Sequence, residues 1–218
     1  MASCGFVTAA AHAAVLPSTQ TDSQWFKDSA ELVSDKTLQV TAKKAKNVIL
    51  FVGDGMGVST LTAARIFEGQ QQAANQGGEE NFLSFEHFDK TALVKTYNTN
   101  QQTPDSAGTM TAMVTGVKSK AGVLSVSDTS LRANCLSSKN NELITLVDLA
   151  NAKGLSTGVV STARITHATP AASYATSPER NWEADSNLPA EAVANECKDI
   201  AYQLVMRDEA NALSVALG

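Results

Sequence analysis

The residues of this sequence best suited to chemistry begin with Gly53-Asp-Gly-Met-Gly57, where glycines allow a tight turn and a close backbone approach to a ligand. The carboxylate of Asp54 directly follows an apolar segment, where a charge is costly unless a cation meets it. A hard divalent ion is the simplest partner, and an ordinary hydrogen-bonded turn aspartate is the alternative. The segment matches neither the dinucleotide fingerprint nor a Walker loop.

A second segment, Pro104 to Met110, places an aspartate and a serine where a helix is expected to begin. Asp105 suits the N-cap position, and Ser106 falls in the first turn, where unpaired N–H groups and the helix dipole favour negative charge. An alkoxide is stabilised there, and the small Ala107 and Gly108 let a tetrahedral anion approach the backbone. First-turn serines without a catalytic role are common, so that alternative stays open. The chain has no Gly-x-Ser-x-Gly elbow, so a Ser-His-Asp hydrolase is poorly supported.

A third segment follows a predicted strand and gathers Arg164, His167 and Thr169, with Arg180 further along the same loop region. Arg180 suits a bidentate clamp on a phosphate or carboxylate. A lone histidine such as His167 is more often structural than a ligand. The chain has three histidines, which are His12, His87 and His167. A His-rich zinc cage therefore cannot be assembled from this chain.

Hydrophobic patterning predicts the elements that must position these residues. An apolar run at Asn47–Val52 predicts a strand covered on both faces, and Val58 to Phe67 predicts a helix that ends at Gly69. A second strand is predicted at Thr91–Tyr97, and a short helix from Asp105 to Gly116.

Further patterns complete the predicted alternation of strands and helices. They are an N-terminal helix at Thr21–Lys36, a helix at Asn140–Lys153 with Gly154 as its stop, a strand at Ser156–Ser161 and a last helix from Pro189 to Arg207. This order predicts an α/β fold with a mainly parallel central sheet flanked by helices. Sites in such sheets form beyond the carboxyl ends of strands, which is where Asp54 falls.

Composition limits the classes of function. The chain has 218 residues, 43% hydrophobic and 18% charged, which is typical of a folded globular protein. Its 17 basic and 22 acidic side chains give a net charge of −5, and the largest basic cluster is Lys43, Lys44 and Lys46, so no nucleic-acid-binding surface is expected. No apolar run approaches the roughly 20 residues of a membrane helix, so the chain is predicted not to be transmembrane.

The N-terminus and the cysteines suggest export. Ala11-His-Ala13 fits the small-x-small pattern of a signal-peptidase site, so residues 1–20 are predicted to be a signal-peptide remnant or a disordered terminus, and Cys4 to be removed or lipidated. We expect residues 21–218 to belong to one domain, in a periplasmic or secreted protein. The even pair Cys135 and Cys197 then predicts a disulfide, with two buried reduced cysteines as the alternative.

Taken together, these segments resemble the alkaline phosphatases. The matching stretches are Asn47 to Gly57, Pro104 to Gly116, Thr162 to Arg180 and the cysteine-containing segment up to Cys197. The similarity runs from about Lys46 to Val205. The order and spacing of several motifs make it more specific than any one of them.

The resemblance implies a site with two Zn²⁺ ions and one Mg²⁺ ion. Asp54 would bridge the second zinc and the magnesium, Thr169 would bind the magnesium, and Ser106 would be the metal-activated serine that is phosphorylated. Asp105 would orient Arg180, which would hold two oxygens of the phosphoryl group. His167, which stands where some family members have aspartate, would lie at the third metal.

The resemblance also implies phosphomonoester hydrolysis, with phosphate monoesters and inorganic phosphate as ligands, and a homodimer. Cys135 and Cys197 resemble a disulfide pair of animal-type members. Because the family's remaining zinc ligands come later in the chain, the sequence is expected to be an N-terminal portion, inactive alone and incomplete on the C-terminal side of its fold.

Two other interpretations are kept open. One is a related phosphodiesterase or sulfatase of the same superfamily, although Asp105-Ser-Ala107 together with Arg180 favours a monoester phosphatase. The other is a noncatalytic secreted module that binds anions or partner molecules and retains the scaffold. Phosphate titration with and without zinc distinguishes the second interpretation from an enzyme.

Overall fold

The computed structural model describes most of the chain after the N-terminal region, namely residues 45–72, 77–209 and 211–218, with Glu31 and Ser34 in a helix. Contacts divide the chain into two compact units. The first unit comprises Met1–Phe51 and Gly57–Leu93, and the second comprises Val52–Met56 and Val94–Gly218. The features predicted nearer the N-terminus lie outside the described residues, namely the signal-peptidase site, Cys4 and nearly all of the helix at Thr21–Lys36.

The first unit contains a 15-residue helix, α1, at Val58–Gln72, and a 3-10 helix at Ser84–His87. The predicted end of α1 at Gly69 is wrong, because Gly69 is buried inside the helix. A Cβ on Gly69 would lie 2.8 Å from the Cα of Gly78. The glycine therefore lets a loop pack closely against α1 and does not terminate the helix.

The predicted strands at Asn47–Val52 and Thr91–Tyr97 are not found, because the structure has no strand pairing at either place. The side chains of Val48 and Phe51 are 87% exposed, and Leu93 is 100% exposed. A strand exists through the ladder of hydrogen bonds to its neighbour, and no other described segment pairs with either backbone. The apolar residues of these segments have high β-propensity, but a strand also needs a neighbouring strand with which its backbone can pair.

The second unit combines short helices with a small sheet. In chain order its elements are α2 at Ser106–Thr115, α3 at Cys135–Ser138, α4 at Leu146–Asn151, β1 at Gly158–Val160, α5 at Ala168–Ala171, a 3-10 helix at Asp185–Asn187, α6 at Ala190–Ala194, α7 at Ile200–Val205 and β2 at Val215–Leu217. Within the described part of the chain, none of the helices is long and apolar enough to cross a membrane.

Strands β1 and β2 pair in parallel, with Gly158 opposite Val215 and Val160 opposite Leu217. Parallel neighbours need a crossover connection, and here the chain between them carries α5, α6 and α7. The strand predicted at Ser156–Ser161 is confirmed at its centre. Helices connecting parallel strands confirm the α/β class, with a sheet of two strands among the residues that the structure describes.

Helix α2 forms the centre of the core and packs on α5. Its start and end follow the sequence prediction: Asp105 is the N-cap and accepts a hydrogen bond from the Gly108 N–H, and Gly116 ends the helix in the left-handed region at φ 75°. The buried core around α2 consists of Ala107, Met110, Val114, Leu124, Ala168, Ala171, Ala172, Tyr174, Ala175 and Ile200. Small residues dominate this group, which lets α2 and α5 approach closely.

The other predicted helices are shorter than their patterns suggested. The helix predicted at Asn140–Lys153 is α4, which begins only after Thr145 caps it, although Gly154 has the left-handed φ of 68° expected after a helix end. The single helix predicted from Pro189 to Arg207 is divided into α6 and α7. Asp199 is the cause of the division, because its side chain accepts from the Tyr202 N–H and starts a new helix.

The disulfide between Cys135 and Cys197 is present and confirms the sequence prediction. It joins α3 to the turn after α6 across 62 positions. Cys135 is fully buried and packs with Trp182 and Ala192 in a small apolar cluster. The bond therefore closes a loop that contains β1, α5 and α6.

We predict that replacing Cys135 with serine destabilises the protein by about 4 kcal/mol, because a cross-link closing a loop of this length restricts the unfolded chain. Urea unfolding of Cys135→Ser against wild type measures the loss. Wild type measured after reduction is the control and should unfold like Cys135→Ser. A non-reduced digest in which Cys135 and Cys197 are both alkylated as free thiols would contradict the prediction.

Candidate functional site

The Asp54 loop is a tight turn, as its glycines predicted. The Met56 N–H donates to the Gly53 carbonyl at 3.3 Å, and Gly55 has a φ of 64°, where a side chain would be strained. The carboxylate of Asp54 is exposed. Residues 52–56 belong to the second unit, so every contact of Asp54 described below lies within one compact body.

Two hydroxyl groups from distant parts of the sequence meet the Asp54 carboxylate. Ser106 Oγ donates to Asp54 Oδ1 at 2.7 Å, and Thr169 Oγ1 donates to Asp54 Oδ2 at 2.7 Å. Each carboxylate oxygen thus accepts one hydroxyl. Three of the four residues that the sequence analysis selected for metal chemistry are thus joined, with Ser106 and Thr169 each bound to Asp54.

Hydrogen bonding keeps Asp54 acidic. The hydrogen bond from Thr169 is the largest cause that lowers the pKa of Asp54 below its ordinary 3.8; partial burial opposes it, and Ser106, His167 and Arg180 lower the pKa further. Asp54 is therefore a carboxylate at neutral pH. It presents a negative charge to any cation that approaches these hydroxyls.

Ser106 is the first residue of α2, and its position depends on close packing of the helix start. A Cβ on Gly108 would lie 2.8 Å from the Lys120 carbonyl oxygen, so only glycine fits there. Ala107 is fully buried beside it. Short side chains thus fix the first turn of α2 and leave the hydroxyl of Ser106 on the side of Asp54.

The Asp105 carboxylate caps α2 by accepting from a first-turn N–H, and it also accepts from an arginine. Its Oδ1 accepts from Gly108 N at 3.0 Å and Asn98 Nδ2 at 2.9 Å, and its Oδ2 accepts from Gly122 N at 2.8 Å and Arg180 Nη1 at 3.0 Å. Burial raises the pKa of Asp105, but these hydrogen bonds outweigh it and hold the pKa below 3.8. Asp105 is thus a fixed anion that orients Arg180.

Arg180 and His167 are neighbours. Arg180 Nη2 lies 3.2 Å from His167 Nε2, and because a guanidinium only donates, Nε2 is the acceptor and the ring proton lies on Nδ1. His167 Nδ1 is buried and has no hydrogen-bond partner among the described residues. The sequence placed His167 at a metal, whereas its hydrogen-bond partner in the structure is the arginine of the predicted phosphate clamp.

The six predicted site residues therefore form two hydrogen-bonded groups, which meet at the start of α2. Thr169, Asp54 and Ser106 form one hydrogen-bonded group, and Asp105, Arg180 and His167 form the other. The peptide bond between Asp105 and Ser106 joins the groups. The structure brings together all six residues that the resemblance assigned to the site, whereas Arg164 pairs with Glu183 instead.

The donor set suits a hard divalent cation. Asp54, Ser106 and Thr169 offer a carboxylate and two hydroxyl oxygens, the ligand type that Mg²⁺ prefers, and a zinc ion usually needs about four ligands including nitrogen or sulfur. Among the described residues, no cluster of three or more His, Cys, Asp or Glu side chains could hold a metal ion. These residues therefore suit one hard cation, which would be part of a metal centre. They do not complete two zinc sites.

The sequence analysis did not identify the residues that hold Asp105 and Arg180 in place. Asn98 is buried and donates to Asp105, and Gly122 does so through its backbone. Arg132 and Glu179 form an ion pair at 2.8 Å next to Arg180. The positive φ of Gly122, 81°, is typical of glycine at a turn, but no local pattern in the sequence pairs Arg132 with Glu179.

Comparison with known proteins identifies the family. The alkaline phosphatase family model matches residues 45–218. The tissue-nonspecific alkaline phosphatase of Homo sapiens is 45% identical over 194 residues, which are 88% of this chain and 37% of the human protein. The Gallus gallus isozyme is 44% identical over 94% of this chain and 40% of its own length. The chain thus spans well under half the length of these curated relatives.

A solved structure gives the same result. The cold-active alkaline phosphatase of the psychrophile Shewanella sp. matches with a TM-score of 0.56 and 30% identity, over 77% of this chain and 34% of that one. Sequence and fold therefore agree over most of the chain. The match to the family model and these identities show that the chain belongs to the alkaline phosphatase family.

Proposed function

We propose that this protein hydrolyses phosphate monoesters through a phosphoserine intermediate on Ser106. The observation that carries the proposal is the pairing at the start of α2: the hydroxyl of Ser106 contacts Asp54, and Asp105 next to it holds the guanidinium of Arg180. A nucleophile and an anion clamp on adjacent residues suit attack on a phosphoryl group. Membership of the alkaline phosphatase family supports the same reaction class.

Arg180 binds and orients the substrate. Its Nη1 is bound to Asp105, and the planar guanidinium keeps further N–H donors for two oxygens of a phosphoryl group. The side chain is 21% exposed, so it is reachable but partly desolvated, which strengthens its attraction for a dianion. Arg180 also neutralises charge that develops on the equatorial oxygens during transfer.

Ser106 is the group that reacts. Its Oγ–P bond forms as the bond between phosphorus and the leaving alcohol oxygen breaks, and the alcohol departs with one proton. Water then attacks the phosphoserine, the Oγ–P bond breaks and inorganic phosphate leaves. The hydroxyl of Ser106 is restored, so the net reaction consumes one water molecule for each monoester.

Metal ions are proposed to assist this chain as two Zn²⁺ and one Mg²⁺. When bound, such ions supply positive charge that lowers the pKa of a serine hydroxyl and stabilises the leaving oxygen. Asp54, Thr169 and Ser106 would supply oxygen ligands to part of this metal set, and His167 lies beside Arg180 at the same site. We propose that the 218-residue chain carries the nucleophile and the phosphate clamp without the full metal cage.

The proposal extends to the compartment and the assembly of the protein. The disulfide between Cys135 and Cys197 is consistent with a periplasmic or secreted protein, because such bonds persist in oxidising compartments. We propose phosphate monoesters and inorganic phosphate as the ligands, and a homodimer by the family resemblance.

We predict that Ser106→Ala abolishes covalent labelling by a radiolabelled aryl phosphate, because Ser106 lies in the first turn of α2 and contacts Asp54. Long incubation with zinc and magnesium lets label accumulate even when turnover is slow. Ser186→Ala, an exposed serine in the 3-10 helix at Asp185–Asn187, is the control and should label like wild type. Acid-stable phosphoserine at wild-type levels in Ser106→Ala would refute the assignment.

We predict that Asp54→Asn lowers the content of bound zinc and magnesium, because an amide leaves the cations less neutralised than a carboxylate does. Metal analysis after dialysis against a mild chelator measures the loss. Asp128→Asn, which removes an exposed aspartate with the same change of charge, should retain wild-type metal content. Equal metal content in the Asp54 and Asp128 variants would show that Asp54 is an ordinary turn residue.

We predict that the 218-residue chain supplied with both metals turns over an aryl phosphate far more slowly than the human relative. The helix dipole supplies only about 0.3 to 1 kcal/mol toward ionising Ser106, up to about 2 in favourable geometry, and a catalytic zinc takes about three protein ligands. Parallel assays with matched metal concentrations measure the difference. Turnover within about tenfold, a barrier difference of about 1.4 kcal/mol, would mean that this chain holds a complete site.

A further inference from the structure

An ion pair that has no part in the proposed chemistry lies directly behind the phosphate clamp. Arg132 Nε donates to Glu179 Oε2 at 2.8 Å and Arg132 Nη2 donates to Glu179 Oε1 at 3.2 Å, so the contact is bidentate. Glu179 is buried, with 8% of its surface exposed, and it immediately precedes Arg180. A buried carboxylate at this place calls for an explanation, because burying charges is costly even when they are paired.

Glu179 fixes the backbone on both sides of Arg180. Its side-chain Oε1 accepts from the Asn181 N–H at 3.1 Å, beyond the arginine. Its own peptide is held before the arginine, where Ser177 Oγ accepts from Glu179 N at 3.2 Å and donates to Glu179 O at 2.8 Å. One side chain therefore bridges the residues that flank Arg180 and limits the directions in which the guanidinium can point.

Arg132 contacts the other support of the clamp. A Cβ on Gly122 would lie 2.3 Å from Arg132 Nε, so the guanidinium packs against the peptide of Gly122. That peptide donates its N–H to Asp105 Oδ2 at 2.8 Å and accepts from Arg180 N at 2.8 Å. The ion pair thus joins the segment that holds Asp105 to the segment that carries Arg180.

Charge strengthens this arrangement. The hydrogen bond that Arg132 donates to Glu179 raises the pKa of Arg132, burial opposes this effect, and the charges of Glu179 and Asp105 raise the pKa further. Arg132 therefore stays a cation and lies within electrostatic range of Asp105. Because the Arg132 side chain is 49% exposed, it can be replaced without opening the core.

We propose that Arg132 and Glu179 are positioning residues that hold Arg180 in the orientation that binds a phosphoryl group. This inference rests on the proposed function, because it gives Arg180 the role of the clamp. The pair acts through bidentate geometry and through the Asn181 N–H. Charge alone is therefore not enough, and lysine cannot replace Arg132.

The test uses the conservative variants Glu179→Gln and Arg132→Lys of the full 218-residue chain. We expect the Arg180 side-chain Nε–Hε resonance to shift and broaden in both, and the Asn181 amide to exchange about tenfold faster with deuterium in Glu179→Gln. The affinity for inorganic phosphate, measured by calorimetry with zinc and magnesium present, should weaken about tenfold in both variants.

Asp148→Asn is the matched control, because it breaks another partly buried pair in the same unit, the contact of Asp148 Oδ1 with Arg207 at 2.7 Å. Loss of this pair should lower the stability of the protein without affecting the clamp. We therefore expect Asp148→Asn to have a lower unfolding midpoint than wild type, but an unchanged Arg180 resonance and an unchanged affinity for phosphate.

An unchanged Arg180 resonance in folded Glu179→Gln and Arg132→Lys would overturn the inference, as would equal effects in Asp148→Asn. Absence of phosphate binding by wild type would count against the proposed function instead, and the Arg180 resonance still decides whether the pair positions the arginine.

Discussion

Each oxygen of the Asp105 carboxylate accepts two hydrogen bonds, and through them one side chain holds the start of α2, the turn at Gly122 and the guanidinium of Arg180. The same carboxylate is thus a helix cap and the partner of an ion pair. Its four donors keep it ionised despite burial, because each of them stabilises the charged form. Since Ser106 is the next residue, the orientation of this group also sets where the hydroxyl lies relative to Arg180.

The Asp54 carboxylate also joins distant parts of the chain, but it accepts fewer hydrogen bonds than Asp105 does. Its two hydroxyl partners leave it exposed, whereas Asp105 is partly buried and accepts from two backbone N–H groups and from the side chains of Asn98 and Arg180. An enclosed carboxylate is suited to orient a neighbour, and an exposed one with free lone pairs is suited to receive a cation. The difference in surroundings explains why two aspartates near one serine are assigned different roles.

Local signals predicted what depends on neighbours in sequence. Asp105 and Gly116 define α2 because capping and a left-handed helix end are properties of single residues. The apolar run at Asn47–Val52 failed as a strand because pairing is decided by distant backbone, and the last helix was divided by a capping residue, Asp199, within its hydrophobic pattern. The candidate site was predicted residue by residue from motifs. The Arg132 and Glu179 pair was not, since two charges 47 positions apart show no pattern in one sequence.

The contact between Thr169 and Asp54 joins residues 115 positions apart, and this has a consequence for the order of events during synthesis. A ribosome releases Asp54 and Ser106 well before Thr169 and Arg180, so the earlier half of the site waits as an open, charged surface. Closing so long a loop has an entropic cost that only later contacts offset. The helix start at Asp105 can form early from local hydrogen bonds, whereas the threonine and the arginine join it only after the intervening chain has been made. Because the core around α2 also includes Ala168, Ala171 and Ile200, binding capacity and the core form together.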